Sequence, residues 1–532
     1  MENELLHPHS VWSATADLPV YPPLSANINV EVCVIGAGIA GLTTAYLLAK
    51  QGATVAVVEA RDVGSGETSH TTAHIATSDD RYWHIEETYG AEAARRVAES
   101  FDAAIDMIES TVASERIECE FRRLDGYLFS CARDPQAALE KELAAARRAG
   151  VKVELQDRVP IASIAEGPCL RFERQAQFHP LQYLAGLARA IGNRRGVIYS
   201  GTRALDVEER DGGVTVTTPN GKIIADAAVV ATNTPFNDRV AIHVKQNAYQ
   251  SYVVAALVKQ GSLPHMLLWD DGDPYHYVRL TPGTDEEHDL LIVGGADHKT
   301  GQEPHPEKHY RELEVWLRGR FPQAGPLVYR WSGQVMEPLD GIAYLGRNPG
   351  SQNIYVITGD SGDGMTHATI GGMLVCDLIM GRQNRWLGIY DPARKPFKEA
   401  LQFIKEQSNI AAQYTQWISG GDETSTTALA PGDGALIRSG LKKLAVYRDE
   451  DGALHRHAAT CPHLGCIVQW NALEKTWDCP CHGSRFSAYG TVLHGPAASG
   501  LAAVDEEEWA QLVEPAPSAR PTSVSPPSDR TR

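Results

Sequence analysis

The sequence predicts an α/β fold with a second, antiparallel sheet, followed by a small all-β domain. Three observations predict it. A βαβ unit opens at Val30, where the strand EVCVIG runs through the glycine-rich AGIAG into the helical LTTAYLLAKQG and the strand ATVAVVEA. Alternating apolar and polar residues dominate 250–295, the pattern of antiparallel strands with one buried face. Beyond residue 435 the chain has short strands and turns with little helix, and four of its nine cysteines fall between 461 and 481.

At 532 residues the chain exceeds one ordinary core, so two or three domains are expected. Residues 1–29 lack periodicity and hold Pro19, Pro22 and Pro23, which reads as an N-terminal arm. Helical patterns follow the βαβ unit at 90–113 and 135–149, and strand-like runs return at 196–200, 213–218 and 226–232. A helical pattern at 401–418 closes a module spanning 30–418. Ser419 to Gly434, rich in Gly, Ser, Thr and Pro, reads as a linker, 435–515 as the all-β domain, and 516–532 as a Pro/Ser tail too polar to fold.

With 49 basic against 67 acidic residues the formal charge is -18, which repels nucleic acid and anionic lipid and gives no reason to expect either as a partner. The start MENELLHPHS is acidic where an export signal is basic, and no run of 18 apolar residues occurs, so a cytoplasmic protein without a membrane span is expected. Cys33, Cys119, Cys131, Cys169 and Cys376 are scattered singly and read as buried, reduced core residues. The cluster of Cys461, Cys466, Cys479 and Cys481 argues instead for metal.

Gly36, Gly38 and Gly41 fit the dinucleotide fingerprint: a tight turn, a close backbone approach to pyrophosphate, and helix packing on strand. Glu59 ends the second strand, where a carboxylate can accept hydrogen bonds from a ribose. FAD and NAD share this fingerprint. Two further stretches bear on the choice: Arg61-Asp62-Val63-Gly64-Ser65-Gly66-Glu67-Thr68-Ser69, and the late run from Asn353 through Gly359, Gly362 and Gly364 to Met365 and Thr366. The late run is a strand that reaches a glycine-rich turn and opens a helix, whose N-terminus stabilises nearby negative charge.

Together these stretches resemble the D-amino-acid-oxidase-like flavoprotein superfamily, which includes glycine-, sarcosine- and dimethylglycine-oxidising enzymes, over about residues 30–395. The resemblance implies a Rossmann-like FAD-binding domain, about 30–85, 150–240 and 326–395, with an antiparallel-sheet substrate domain, about 86–149 and 241–325. It also places a strand around Ala204 against adenine, and Ala231 and Thr232 near the ADP half. Thr68-Ser69-His70-Thr71-Thr72-Ala73 resembles the segment where dimethylglycine-oxidising relatives attach flavin covalently; a packing or hydrogen-bonding role for His70 stays open beside that, and His74 is more ambiguous.

Cys461-Pro462-His463-Leu464-Gly465-Cys466 and Cys479-Pro480-Cys481-His482-Gly483-Ser484 resemble the complete Rieske signature of the respiratory cytochrome bc type. The resemblance implies a [2Fe-2S] cluster with Cys461 and Cys479 on one iron, His463 and His482 on the other, and a disulfide between Cys466 and Cys481. Four such ligands could also make a tetrahedral zinc site; the two additional cysteines favour the cluster. Gly495-Pro496-Ala497 resembles the proline loop over the cluster, although Ala498 and Ser499 depart from its usual continuation. Ser484 matches a hydroxyl that hydrogen-bonds a cluster sulfide, whereas Phe486 stands where the respiratory proteins have a tyrosine.

The pair of cofactors implies electrons passing from FAD through the cluster to an unknown acceptor, and the superfamily resemblance implies that an amine or amino acid is oxidised at a C–N bond. The alternative is a redox sensor or electron carrier that turns over no metabolite. A Rieske oxygenase would need a second iron site, but only His494 remains among histidines after His482. A respiratory subunit would want an anchor, and a ferredoxin reductase a second nucleotide fingerprint, which Gly294-Gly295 does not supply. Tyr252, Tyr275, His276, Tyr277, Trp331 and Gln334 are candidates for the substrate pocket and equally for sheet packing.

Overall fold

The computed structural model describes residues 6–77, 82–161, 163–164, 167–210, 212–237, 242–394, 413, 429–439, 442–507 and 509. The expected helix at 401–418, most of the linker and the tail lie outside these residues.

The first large sheet is built around four parallel pairings. Ile28–Ile35 lies between Val55–Val58 and Gly221–Val230, with Gly196–Tyr199 beyond the former and Ile354–Thr358 beyond the latter. Val55–Val58 and Ile354–Thr358 are buried at every position, as parallel strands covered on both faces must be. The helix Ile39–Lys50 is apolar nearly all round because it is clasped by that sheet and by the helix Gly364–Ile379. Those helices approach closely at Gly372, where a side chain would press on Thr43 at 2.9 Å.

The second large sheet runs, in order, through Leu327–Pro338, Gln246–Lys259, His288–Lys299, His276–Pro282, Leu267–Asp270, Arg122–Phe129, Cys169–Gln177 and His74–Ile75. Strand alternation divides its residues between two cores. Tyr252, Val254 and Ala256 pack with Leu313, Trp316 and Leu317 of the helix Glu307–Arg320, while Val253 and Ala255 face the core shared with the first sheet. This sheet is not wholly antiparallel: Leu267–Asp270 runs parallel to Arg122–Phe129, where the two expected substrate segments meet edge to edge.

The C-terminal domain pairs a three-stranded sheet (Asp433–Ser439, Lys442–Arg448, Leu454–Ala458) with a four-stranded one (Gln469–Asn471, Thr476–Asp478, Arg485–Ser487, Val492–His494). Its core holds Trp477 and Phe486 with Cys461, Cys466, Cys479 and Cys481. Two expectations need correction. Cys131 is exposed, because it lies just past the end of Arg122–Phe129 in a turn held by Asp271. Ala204 lies in the connection between Gly196–Tyr199 and Asp206–Arg210, not in a strand.

Candidate functional site

The turn after Ile28–Ile35 is dictated by its glycines. Gly36 takes φ +105, and a side chain there would collide with Ala231 O; a side chain on Gly41 would collide with Gly36 O, so the helix can lie against the turn only without one. Glu59 fixes the turn from the next strand, its carboxylate accepting from Ala37 N at 2.9 Å and Arg61 N at 3.0 Å. Thr68 Oγ1 accepts from Ile39 N at 3.1 Å at the start of the helix.

These residues form one end of a cavity of about 440 Å³ lined by both large sheets and by a loop of the C-terminal domain. Gly36, Gly38, Glu59, Arg61, Thr68, His70, Ala204, Thr232, Gly362, Gly364 and Met365 line it. Gly41, Ser69, Gly359 and Thr366 stand behind the wall: Ser69 Oγ donates to Gly66 O, and Thr366 Oγ1 to Asp363 O, so each shapes a turn. The turn before the late helix places Gly359, Ser361 and Gly362 at φ +72, +51 and +83, and Ser361 is held there by hydrogen bonds to Met336 O and the Glu337 carboxylate. A cavity lined both by a glycine turn and by this turn suits a dinucleotide, with backbone N–H groups and the start of Gly364–Ile379 available to negative charge.

Away from the fingerprint the wall is made by Ser251, Trp269, Asp270, Asp271, Tyr275, Tyr277 and His74. Tyr277 OH and Ser251 Oγ hydrogen-bond at 2.7 Å, and Tyr275 OH donates to Asp297 at 2.8 Å. Burial, assisted by the Arg279 guanidinium, pushes His74 down to about 3, so its ring is neutral at physiological pH. Burial pushes the Asp297 carboxyl up to about 6. The same effect, with the Glu337 and Glu67 carboxylates adding to it, carries Asp360 up to about 7. Of the candidate pocket residues, Tyr275, Tyr277 and Gln334 reach the cavity. Tyr252 and His276 point the other way by strand alternation, Tyr252 against His309 and His276 against Trp316, while Trp331 donates to His70 O from the core.

In the C-terminal domain, Cys461 and Cys479 are buried, and the His463 and His482 rings lie 5.0 Å apart. Cys466 and Cys481 form a disulfide. The Cys479 sulfur lies within 4.8 Å of both disulfide sulfurs, but those two have no thiolate to give. Two thiols and two imidazoles on facing loops are the donor set of a Rieske centre. Ser484 Oγ, fully buried, accepts from Ala497 N at 3.1 Å, which ties the loop at 495–498 to the cluster loops and leaves the hydroxyl proton to donate.

The domains meet at this point. Leu493, His494, Gly495, Ala497 and Ala498 line the cavity itself. His494 Nδ1 lies 3.3 Å from the Glu67 carboxylate, Arg203 donates to Val492 O, and Gln334 donates to Gly483 O at 2.9 Å, one residue past His482. Glu474 accepts from Gln250 and Ser332 of the large sheet and pairs with the buried Arg485. His243, 1 % exposed, sets its ring 4.8 Å from that of His463 and 5.9 Å from that of His482. Ser251, Glu67, Arg203 and His243 were not legible as site residues: Ser251 is an ordinary strand residue until the sheet's inward face is known, and the other three gain their Rieske-domain contacts only where the two modules dock.

Comparison with known proteins accounts for both halves. The model of the FAD dependent oxidoreductase family matches residues 31–378, and that of the Rieske [2Fe-2S] domain matches residues 423–505. The chain is 32% identical over 501 residues to the Rieske 2Fe-2S iron-sulfur protein YhfW of Bacillus subtilis, covering 94% of this chain and 98% of that protein. It is 27% identical over 409 residues to gamma-glutamylputrescine oxidoreductase of Escherichia coli, covering 74% and 93%. Glycine oxidase from Geobacillus kaustophilus shares the fold of the larger module, with TM-score 0.58 and 18% identity over 69% of this chain and 99% of that one. The chain belongs to the FAD-dependent oxidoreductase family and carries, at its C-terminal end, a Rieske domain that binds a [2Fe-2S] cluster.

Proposed function

We propose that this protein oxidises a C–N bond of an amine or amino acid and delivers the electrons through its Rieske domain to an external one-electron acceptor. The observation that carries the reading is Gln334, which lines the cavity and also hydrogen-bonds the residue after His482, so cavity wall and cluster loop are one hydrogen bond apart. The fingerprint residues Gly36, Gly38 and Glu59 and the turn 359–366 would hold FAD, and Cys461, His463, Cys479 and His482 the cluster. When bound, FAD supplies a hydride acceptor and the cluster a one-electron relay.

In balance, the substrate carbon loses a hydride and its nitrogen a proton, leaving an imine that water hydrolyses; the two electrons then leave singly. Ser251, Tyr275 and Tyr277 present hydroxyls for orienting the substrate, and neutral His74 adds no charge that would repel an ammonium group. Asp360, poised near neutrality, can take up or hold a proton at its carboxylate. The names of the relatives, a glycine oxidase and an amine-directed oxidoreductase, support the substrate class.

The test is anaerobic addition of an amine and amino-acid panel to holoprotein. Bleaching of the flavin followed by the paramagnetic signal of a reduced cluster is expected with at least one compound. No bleaching across the panel, with dithionite still reducing both centres, would favour a sensor or carrier.

A further inference from the structure

His243 stands on the short turn His243–Lys245 that leads into Gln246–Lys259, and so belongs to the flavoprotein module. Its ring meets those of His463 and His482 edge-on, at 71° and 67°. Both expected imidazole ligands therefore share one aromatic neighbour, and it comes from the other module.

The chain after His243 leads back to the cavity. Three residues on, Gln246 donates to Thr358 Oγ1 at 3.3 Å, and Thr358 donates to Asn233 O at 2.5 Å. Thr358 and Asn233 both line the cavity. Other contacts between the modules, among them those of Gln334, Arg203, Gln302, Glu67 and Glu474, are made to backbone carbonyls or to other side chains of the Rieske domain.

We propose that His243 is a positioning residue for electron entry: it fills the gap between the flavin cavity and the imidazole edge of the cluster, so that electrons enter the cluster through His463 and His482. This rests on the reading that the flavin reduces the cluster. One electron crosses per event, from the reduced flavin to the oxidised cluster, and the second follows once an external one-electron acceptor has taken the first.

The test uses full-length holoprotein with His243→Ala and His243→Phe. Iron and FAD content are measured first, then the electron paramagnetic resonance spectrum of the dithionite-reduced cluster, then the rate at which the cluster is reduced after photoreduction of the flavin with EDTA. The expected result is a shifted spectrum in both variants. Cluster reduction should slow by about 10- to 100-fold in His243→Ala, the usual cost of losing an outer-shell partner, and most of the rate should return in His243→Phe, which keeps a ring in place. Wild-type rate and spectrum in an iron-replete His243→Ala would overturn the role of His243. If His243→Ala loses its iron, His243→Leu replaces it, and equal rates in the Leu and Phe variants would overturn the proposal. Absence of any flavin-to-cluster transfer in the wild type would instead overturn the electron path itself.

Discussion

Two residues carry predictions by themselves. Asp360 titrates near 7 in the fold against an ordinary value of 3.8, so its protonated form is favoured by folding. Its contribution to stability is complete below about pH 4 and is lost as pH rises through 7. Asp360→Asn stays neutral throughout, so the fall in melting temperature between pH 5 and pH 8 should shrink in that variant; an unchanged slope would show that other groups set it. Phe486 is fully buried in the core that holds the cluster cysteines, and it has no hydroxyl to stabilise the reduced cluster. The potential should therefore lie below that of respiratory Rieske proteins, inside the Rieske range of about -150 to +300 mV, and rise in Phe486→Tyr. A redox titration showing no change would place that ring away from the cluster.

At the scale of elements, legibility followed locality. The βαβ fingerprint and the cluster loops are set by residues close in sequence, whose turns admit only glycine or need fixed ligand spacing; both were readable, and the helices at 135–149 and 91–115 fell where the pattern put them. The substrate wall was not readable, because alternation tells which residues share a face but not which face looks inward. Tyr275 and Tyr277 reach the cavity while Tyr252 and His276 do not, for that reason alone. The tight helix–turn contact at Gly41 gives a direct test: Gly41→Val should cost about 1–3 kcal/mol by overpacking and release FAD, read by thermal unfolding and flavin content. Full flavin occupancy with unchanged stability would mean that the helix can shift away from Gly36.

At the scale of the whole molecule, the two modules have separate hydrophobic cores yet share one cavity wall. The loop 493–498 reaches the flavin module through His494 and Glu67, and its other side is tied to Ser484 beside the cluster loops. Loss of the cluster should therefore be felt at the flavin without abolishing its site. His482→Ala removes a proposed imidazole ligand, so the variant should contain no [2Fe-2S] cluster. Its larger module should still fold and still hold FAD, because the fingerprint, Glu59 and the turn 359–366 lie outside the Rieske core. With the cluster loops loosened, Ala497 loses a fixed partner in Ser484 and the wall at His494 opens, so FAD should dissociate faster than from the wild type. Flavin fluorescence after dilution measures that rate. Iron-free protein releasing FAD at the wild-type rate would show that the loop holds its place through Glu67 and Arg203 alone, and that the cavity does not depend on the cluster.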